Sequence, residues 1–432
     1  MKEKKDKDPR PKADKLNLYL DNNDAHIEGS IIELGKEIGL IRIEQKIALK
    51  VVVFNLYWAQ GGKLITPRDK ASIGVRRYNP HKIGYRGLMT VLDNLVKHEY
   101  IIQDIGYKDF INDESAATTI SATNKLKTFF KDNNWLHMEG WSVSKPPELI
   151  VLRDNTKRKK LVDYVDNKYS NWLRSELIKY NTLLNEETEI LLVKRDKKTG
   201  VETVIDEYYD LTLQRKFIQH NKNEFGVELS YGGRMFAPWC NLSSNQRKML
   251  TINGDRTVEL DLQASSVNTI YKVYTGQRYP DGDPYKLIIN GELIPRHIVK
   301  KAATIMLNTK SINSAVAALE NHYLPNVFDD ERSKNDLKKA DDYKHIKLAM
   351  KPSDILRAFL EKHKSIKNSF LMGKRMGDIV CCQEADRVFE IVRRFTANNV
   401  PILTVYDSFI VQEQYKDNLQ RWMDELLPLR GK

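Results

Sequence analysis

The chain has 432 residues, 41% apolar and 9% aromatic, enough to bury the cores of two or three ordinary domains. Lys and Arg outnumber Asp and Glu by 70 to 58, and the net charge of +12 suits a polyanionic partner without identifying one. Cys240, Cys381 and Cys382 form neither a disulfide framework nor a zinc-ligand spacing, the amino terminus is charged, and no apolar run approaches the ~20 residues of a membrane span. These features argue against a secreted or membrane protein and for a reducing cytoplasm.

The first residues mix Lys, Asp, Pro and Arg with almost nothing to bury, so a solvated tail is expected over residues 1–20. From Glu44 to Gln60 the positions of Ile47, Val51, Phe54, Leu56 and Trp58 predict a helix ended by Gly61-Gly62. Gly84-Tyr85-Arg86-Gly87 opens a second helix carrying Leu88, Val91, Leu92 and Leu95. Tyr100 to Gly106 then reads as a short strand closed by a turn glycine. Helix, strand and turn fit the end of a winged-helix module as well as a small helical subdomain, and residues 21–150 are read as one mainly helical domain. A helical stretch over Leu161–Asn185 precedes a hairpin, Glu189–Val193 and Val201–Ile205, around the basic turn Lys197-Lys198-Thr199-Gly200. Residues 151–230 are therefore read as a connector or reduced thumb, with a boundary near Asn221 to Tyr231 before the catalytic part, residues 231–432.

The chemistry gathers in that last part. Arg256 to Asp261 alternates as a strand and ends on a carboxylate before the chain turns toward a helix at Ser265 and Ser266. Val400 to Val411 reads as a hairpin presenting Tyr406-Asp407-Ser408 at its tip. Taken singly, an aspartate at a strand end is an ordinary turn cap. Taken together, two carboxylates on adjoining strand ends suit a two-metal site, because magnesium takes oxygen ligands. Arg296 and Lys300 lie four apart on a predicted helix ending at Asn308, placed to meet a triphosphate, although such pairs also occur on solvated faces. Gly233-Arg234, Asn241-Leu242 and Arg247 add a glycine turn and cations suited to template or phosphate contact, or to plain surface charge. Gly373-Lys374-Arg375-Met376-Gly377-Asp378 is expected to precede a packing helix on which Glu384 and Asp386 are open to facing the site, though neither is chosen.

The order and spacing of Gly233-Arg234, Asn241-Leu242, Arg247, the Asp261 strand, the Arg296/Lys300 helix and Tyr406-Asp407-Ser408 resemble the DNA polymerase I superfamily, which includes the single-subunit RNA polymerases of phages and mitochondria. The resemblance covers about Tyr231 to Gln412. It implies that Asp261 and Asp407 bind both metal ions with the backbone carbonyl of Leu262, and that Arg296 and Lys300 bind the incoming triphosphate. DNA-making members carry a glutamate five residues after the first aspartate, where this chain has Ser266, and a glutamate after the hairpin aspartate, where it has Ser408. Both serines imply ribonucleotides. The chain departs from the pattern at Tyr406, where the family has histidine, and at Asn308, where it has a sugar-sensing tyrosine. No exonuclease carboxylate set precedes Gly233.

The resemblance thus implies an α+β fold, with a palm sheet and helical fingers behind a mainly helical amino-terminal domain. The expected activity is DNA-templated RNA synthesis by a minimal single-subunit polymerase of a phage or mobile element, acting in the bacterial host cytoplasm. Its expected cofactors are two Mg2+ ions, for which Mn2+ can substitute. Its expected partners are a DNA template, nucleoside triphosphates and a protein subunit that compensates for a missing thumb, with no membrane. A primase-polymerase, a non-proofreading DNA polymerase and an inactive palm-domain nucleic-acid-binding protein are the alternatives.

Overall fold

A computed structural model describes residues 14–425, except 23, 60, 67, 69, 74, 110–113, 136–140, 144–147, 158, 197–198, 208–210, 221–228 and 324–350. The Lys197-Lys198 turn and most of the expected Asn221–Tyr231 boundary lie outside the described residues. The protein mixes helices with several small sheets, and its packing divides it into two units. One holds residues 1–148 and 158–163, the other 149–157 and 164–432. The stretch 164–230, read from the sequence as a connector, folds with the carboxyl-terminal unit.

In the amino-terminal unit, β1 (Asp14–Lys15), β2 (Leu64–Ile65), β3 (Ile101–Asp104) and β4 (Thr119–Ala122) form a sheet in the order β1-β2-β4-β3. The parallel pairing of β1 with β2 corrects the expected tail, since the chain already joins the sheet at Asp14 and packs Leu16 and Leu18 on the core. Around the sheet lie α1 (Ala25–Glu37), α2 (Ile43–Trp58), α3 (Tyr85–Lys97) and α4 (Asn124–Asp132). Asp24 caps α1 through hydrogen bonds from the His26 and Ile27 amides, and Thr123 caps α4 through the Leu126 amide. The middle of α2 is largely apolar, with Ala48, Leu49, Val51–Phe54 and Leu56 buried and only Lys50 and Asn55 polar among them, as expected of a central helix. Trp135, fully buried, packs against Phe130 at 4.8 Å, Tyr57 at 5.4 Å and Phe54 at 5.6 Å between ring centroids.

The carboxyl-terminal unit is built on two sheets. β5 (Ile150–Asp154), β8 (Gln214–Gln219) and β9 (Gly232–Phe236) form the smaller one, in the order β9-β8-β5. The larger contains β6 (Ile190–Arg195), β7 (Glu202–Glu207), β10 (Leu250–Ile252), β11 (Asp255–Asp261), β12 (Leu403–Val405) and β13 (Ser408–Gln412). Its order is β7-β6-β10-β11-β13-β12, and every pairing is antiparallel. The β6/β7 pair is the hairpin read from the sequence, and α5 (Lys168–Glu187) is the helix read before it. A helical cluster follows β11: α6 (Ser265–Thr275), α7 (Arg296–Asn308), α8 (Ile312–Tyr323) and α9 (Pro352–Lys362) share a core that includes Val267, Ile298, Met306, Leu319 and Phe359.

α10 (Lys374–Ala397) packs against β9, α5, α6 and α7, and α11 (Lys416–Glu425) follows β13. The segment Gly373–Asp378, expected to precede a helix, instead forms its start: Gly373, at φ +82°, is the residue before the first turn. Two features lock α10 onto the smaller sheet. Arg215 of β8 is fully buried and reaches Asp386 at 3.0 Å while donating to the Gly233 carbonyl at 2.8 Å. Gly233 is itself required, because its φ is +71° and an added Cβ would stand 2.8 Å from the Arg215 guanidinium and 2.9 Å from the Phe217 ring. Among the described residues no helix is long and apolar enough to cross a membrane.

Candidate active site

The register of the larger sheet brings the two aspartates together. β11 pairs with β13 so that Asp261 stands opposite Ser408, and the Ser408 hydroxyl donates to Asp261 Oδ1 at 3.0 Å. The ladder continues one step, since the Leu262 amide donates to the Asp407 carbonyl at 3.0 Å. Asp407 occupies the second position of a two-residue loop between β12 and β13, and Tyr406, at φ +60°, occupies the first. That conformation normally falls to glycine. Here the Arg234 guanidinium lies 5.6 Å from the centre of the Tyr406 ring, and the Phe236 ring stands perpendicular to it with centroids 6.4 Å apart. The other strand exit is similar: Ala264 sits at φ +48° immediately before α6. The exit of the Asp261 strand and the loop that carries Asp407 therefore each hold a non-glycine residue in the left-handed region, a cost of order 1–3 kcal/mol each that the surrounding packing must offset.

The electrostatics follow from this proximity. Partial desolvation, then the negative charge of Asp407, push the Asp261 carboxyl above its ordinary range, while the Ser408 hydrogen bond and the Lys300 charge oppose the shift. Lys300 is exposed on α7, and among the described residues no carboxylate lies at ion-pair distance from it. Glu384, 7% exposed on α10, enters from the other side: its Oε1 accepts the Ser266 hydroxyl at 3.0 Å and its Oε2 lies 3.9 Å from Arg234. Burial, with the Asp407 charge added, raises its carboxyl above the usual 4.5. Tyr285 is buried within the influence of both Glu384 and Asp407, and burial raises its phenol.

The remaining expected site residues are engaged elsewhere. Arg247 makes a two-pronged contact to Glu259 of β11, 2.9–3.1 Å, and donates to the Leu242 carbonyl at 3.0 Å. It thus braces the Asp261 strand rather than presenting a free cation to nucleic acid. Arg296 donates to Asp283 at 2.6 Å and covers the Tyr285 ring at 5.1 Å. Asn308 turns back to the Thr304 carbonyl at 2.8 Å and lies against α10, where a Cβ on Gly377 would stand 2.6 Å from its Oδ1. Asp261, Asp407, Leu262, Ser266, Lys300 and Arg234 form one neighbourhood, joined by Glu384 and Tyr285. The sequence left Glu384 open together with Asp386 and gave no sign of Tyr285.

The donor set suits a hard divalent cation. The Asp407 charge that raises the proton affinity of Asp261 is offset when a cation lies between the two carboxylates, and oxygen-only donors favour magnesium or manganese. Among the described residues there is no group of three or more His, Cys, Asp or Glu arranged to hold a metal, so remaining ligands there would come from the Leu262 carbonyl, water and substrate. Comparison with family models, curated proteins and solved structures returns no match for the chain.

Proposed function

We propose that the carboxyl-terminal unit is a DNA-templated nucleotidyltransferase of the single-subunit RNA polymerase type, with the larger sheet as its palm and α6 to α9 as its fingers. The observation that carries this reading is the β11/β13 register, which sets Asp261 beside the Asp407 turn although the two are far apart in sequence. In it, Asp261 and Asp407 hold two magnesium ions, which when bound supply activation of the attacking 3′-hydroxyl and neutralisation of the departing pyrophosphate. Ser408 orients Asp261 through its hydrogen bond, and Arg247 fixes the strand through Glu259. Lys300, exposed and felt by Asp261, is the residue best placed to meet the triphosphate. Arg296 can join it only by exchanging its Asp283 partner for phosphate. Arg234 steadies the Tyr406-Asp407 turn.

A specific observation favours a second reading in the choice of sugar. The small Ser266 side chain implies room for a ribose 2′-hydroxyl, but Glu384 fills space beside it and bonds to it. If that carboxylate stands against the sugar, discrimination passes from α6 to α10 and deoxyribonucleotides become the substrates. The test is incorporation on single-stranded DNA with magnesium and either four ribonucleotides or four deoxyribonucleotides, with and without primer. Unprimed long RNA supports the first reading, primed DNA alone supports the second, unprimed short products indicate a primase, and no synthesis under any condition contradicts the enzyme reading. Ser266→Glu and Glu384→Ala then assign the sugar contact. The residue that faces the sugar changes the ribo/deoxy ratio on the order of a hundredfold, corresponding to ~2–4 kcal/mol of steric discrimination.

A further inference from the structure

Beside Asp261 and Leu262 lies a cavity of about 150 Å³ that Lys300 does not line. Its walls carry Arg278, from the loop after α6, and Arg387, from α10. Arg387 is only 3% exposed. Its Nη1 donates to the Thr269 hydroxyl, while its Nε has no hydrogen-bond partner, and among the described residues no carboxylate lies within 4 Å of it. A buried guanidinium without a counter-ion is costly, and proteins ordinarily keep one only with a paired anion. The acids of the cavity do not provide it. Asp424 is held by Arg278 at 3.2 Å and by Gln420 at 3.1 Å, and Asp261 faces Ser408, Asp407 and Lys300. Glu384, whose charge does reach Arg387, is bonded to Ser266. Lys272 is a second buried cation whose ammonium is lowered by burial and by the charges of Arg278 and Arg387.

We propose that Arg278 and Arg387 form a phosphate-binding pocket adjoining Asp261, holding a phosphate group of the substrate. Guanidinium donors match the oxygens of a phosphate, and the cavity has room for a tetrahedral oxyanion. The phosphate has two sources: the polyphosphate of a free nucleotide, or the phosphodiester preceding the 3′ end of the growing strand. Its assignment as substrate phosphate rests on the polymerase reading, whereas the anion site itself does not.

The test is calorimetric titration of the full chain in magnesium-free buffer with tripolyphosphate and, separately, with dithymidine dinucleotide, which carries one phosphodiester. Wild type should bind at least one probe. Arg278→Gln and Arg387→Met should each weaken that binding by about tenfold or more, with circular dichroism unchanged. Preference for tripolyphosphate identifies the free nucleotide, and preference for the dinucleotide identifies the strand. Arg387→Met removes a buried group and is at risk of misfolding. Arg278→Gln, at a side chain 37% exposed, keeps the test intact. Absence of binding by wild type, or wild-type affinity in folded Arg278→Gln, overturns the pocket. Because binding is read without turnover, an inactive protein that binds tripolyphosphate through Arg278 contradicts the polymerase reading alone. An active protein whose Arg278→Gln variant binds unchanged contradicts the pocket alone.

Discussion

The two units bury different chemistry. In the amino-terminal unit the buried polar residues among those described are Ser30, Asn55, Thr66 and Asn79, all neutral, and the asparagines are tied into backbone hydrogen bonds. The carboxyl-terminal unit buries Arg215, Lys272, His363, Glu384, Asp386 and Arg387. Burial lowers the His363 imidazole to about 4 and keeps it neutral, and burying the charged groups that remain opposes folding unless they are paired. One end of this set is structural: Arg215 and Asp386 pair and pin α10 to β8. The other end, Glu384 and Arg387, surrounds the aspartate pair. In the amino-terminal unit Trp135, Phe54 and Phe130 interlock, and the ion pairs among its described residues run from exposed Lys63–Asp104 to the largely buried Arg77–Glu148.

The sharpest division between the units is expected in activity. Asp261→Ala and Asp407→Ala should each reduce nucleotide incorporation by at least about a thousandfold, with the melting transition and DNA affinity close to wild type. Trp135→Ala should lower stability by about 3–5 kcal/mol through a cavity and leave the carboxyl-terminal chemistry in place. Near-normal synthesis by either aspartate variant breaks the comparison.

Next in size is the buried ion pair. Asp386→Ala should destabilise the fold by about 3–5 kcal/mol in denaturant melts, because it leaves Arg215 charged and buried. Lys63→Ala, which removes a 2.7 Å surface pair with Asp104 in the amino-terminal unit, should change stability by less than about 1 kcal/mol. Equal effects would mean that burial does not distinguish the two.

A pH series sharpens the same contrast. The Glu384 carboxyl is raised in the folded state, so as pH climbs past its ordinary 4.5 the unfolded chain releases its proton first and the fold loses stability. The loss is complete once pH exceeds the raised folded value. The stability of Glu384→Gln relative to wild type should therefore rise as pH climbs above 4.5 in urea melts at several pH values. A difference that stays flat across that range contradicts an elevated Glu384.

Much of this organisation is visible in the sequence where periodicity is simple. The α7 bounds, Arg296–Asn308, and the strand ending on Asp261 follow from apolar spacing, and the Tyr406-Asp407 loop follows from apolar runs on both sides. What fails to show is whatever depends on elements distant in the chain. α10 buries Glu384 through Phe389 consecutively, so it has no polar stripe from which the inward position of Glu384 could be read. Arg247 looks like a free cation until β11 supplies Glu259 at 2.9 Å. The left-handed turns at Ala264 and Tyr406 lack the glycine that would mark them, because tertiary packing holds them.

Asp261 and Asp407 are proposed to act as one cation site. Manganese titration followed by electron paramagnetic resonance, on wild type, Asp261→Asn and Asp407→Asn, measures this directly. Wild type should bind the ion, and each single substitution should weaken binding by at least about tenfold, since either change removes one charged ligand and the repulsion that favours a cation. Unchanged manganese affinity in both variants would contradict the account.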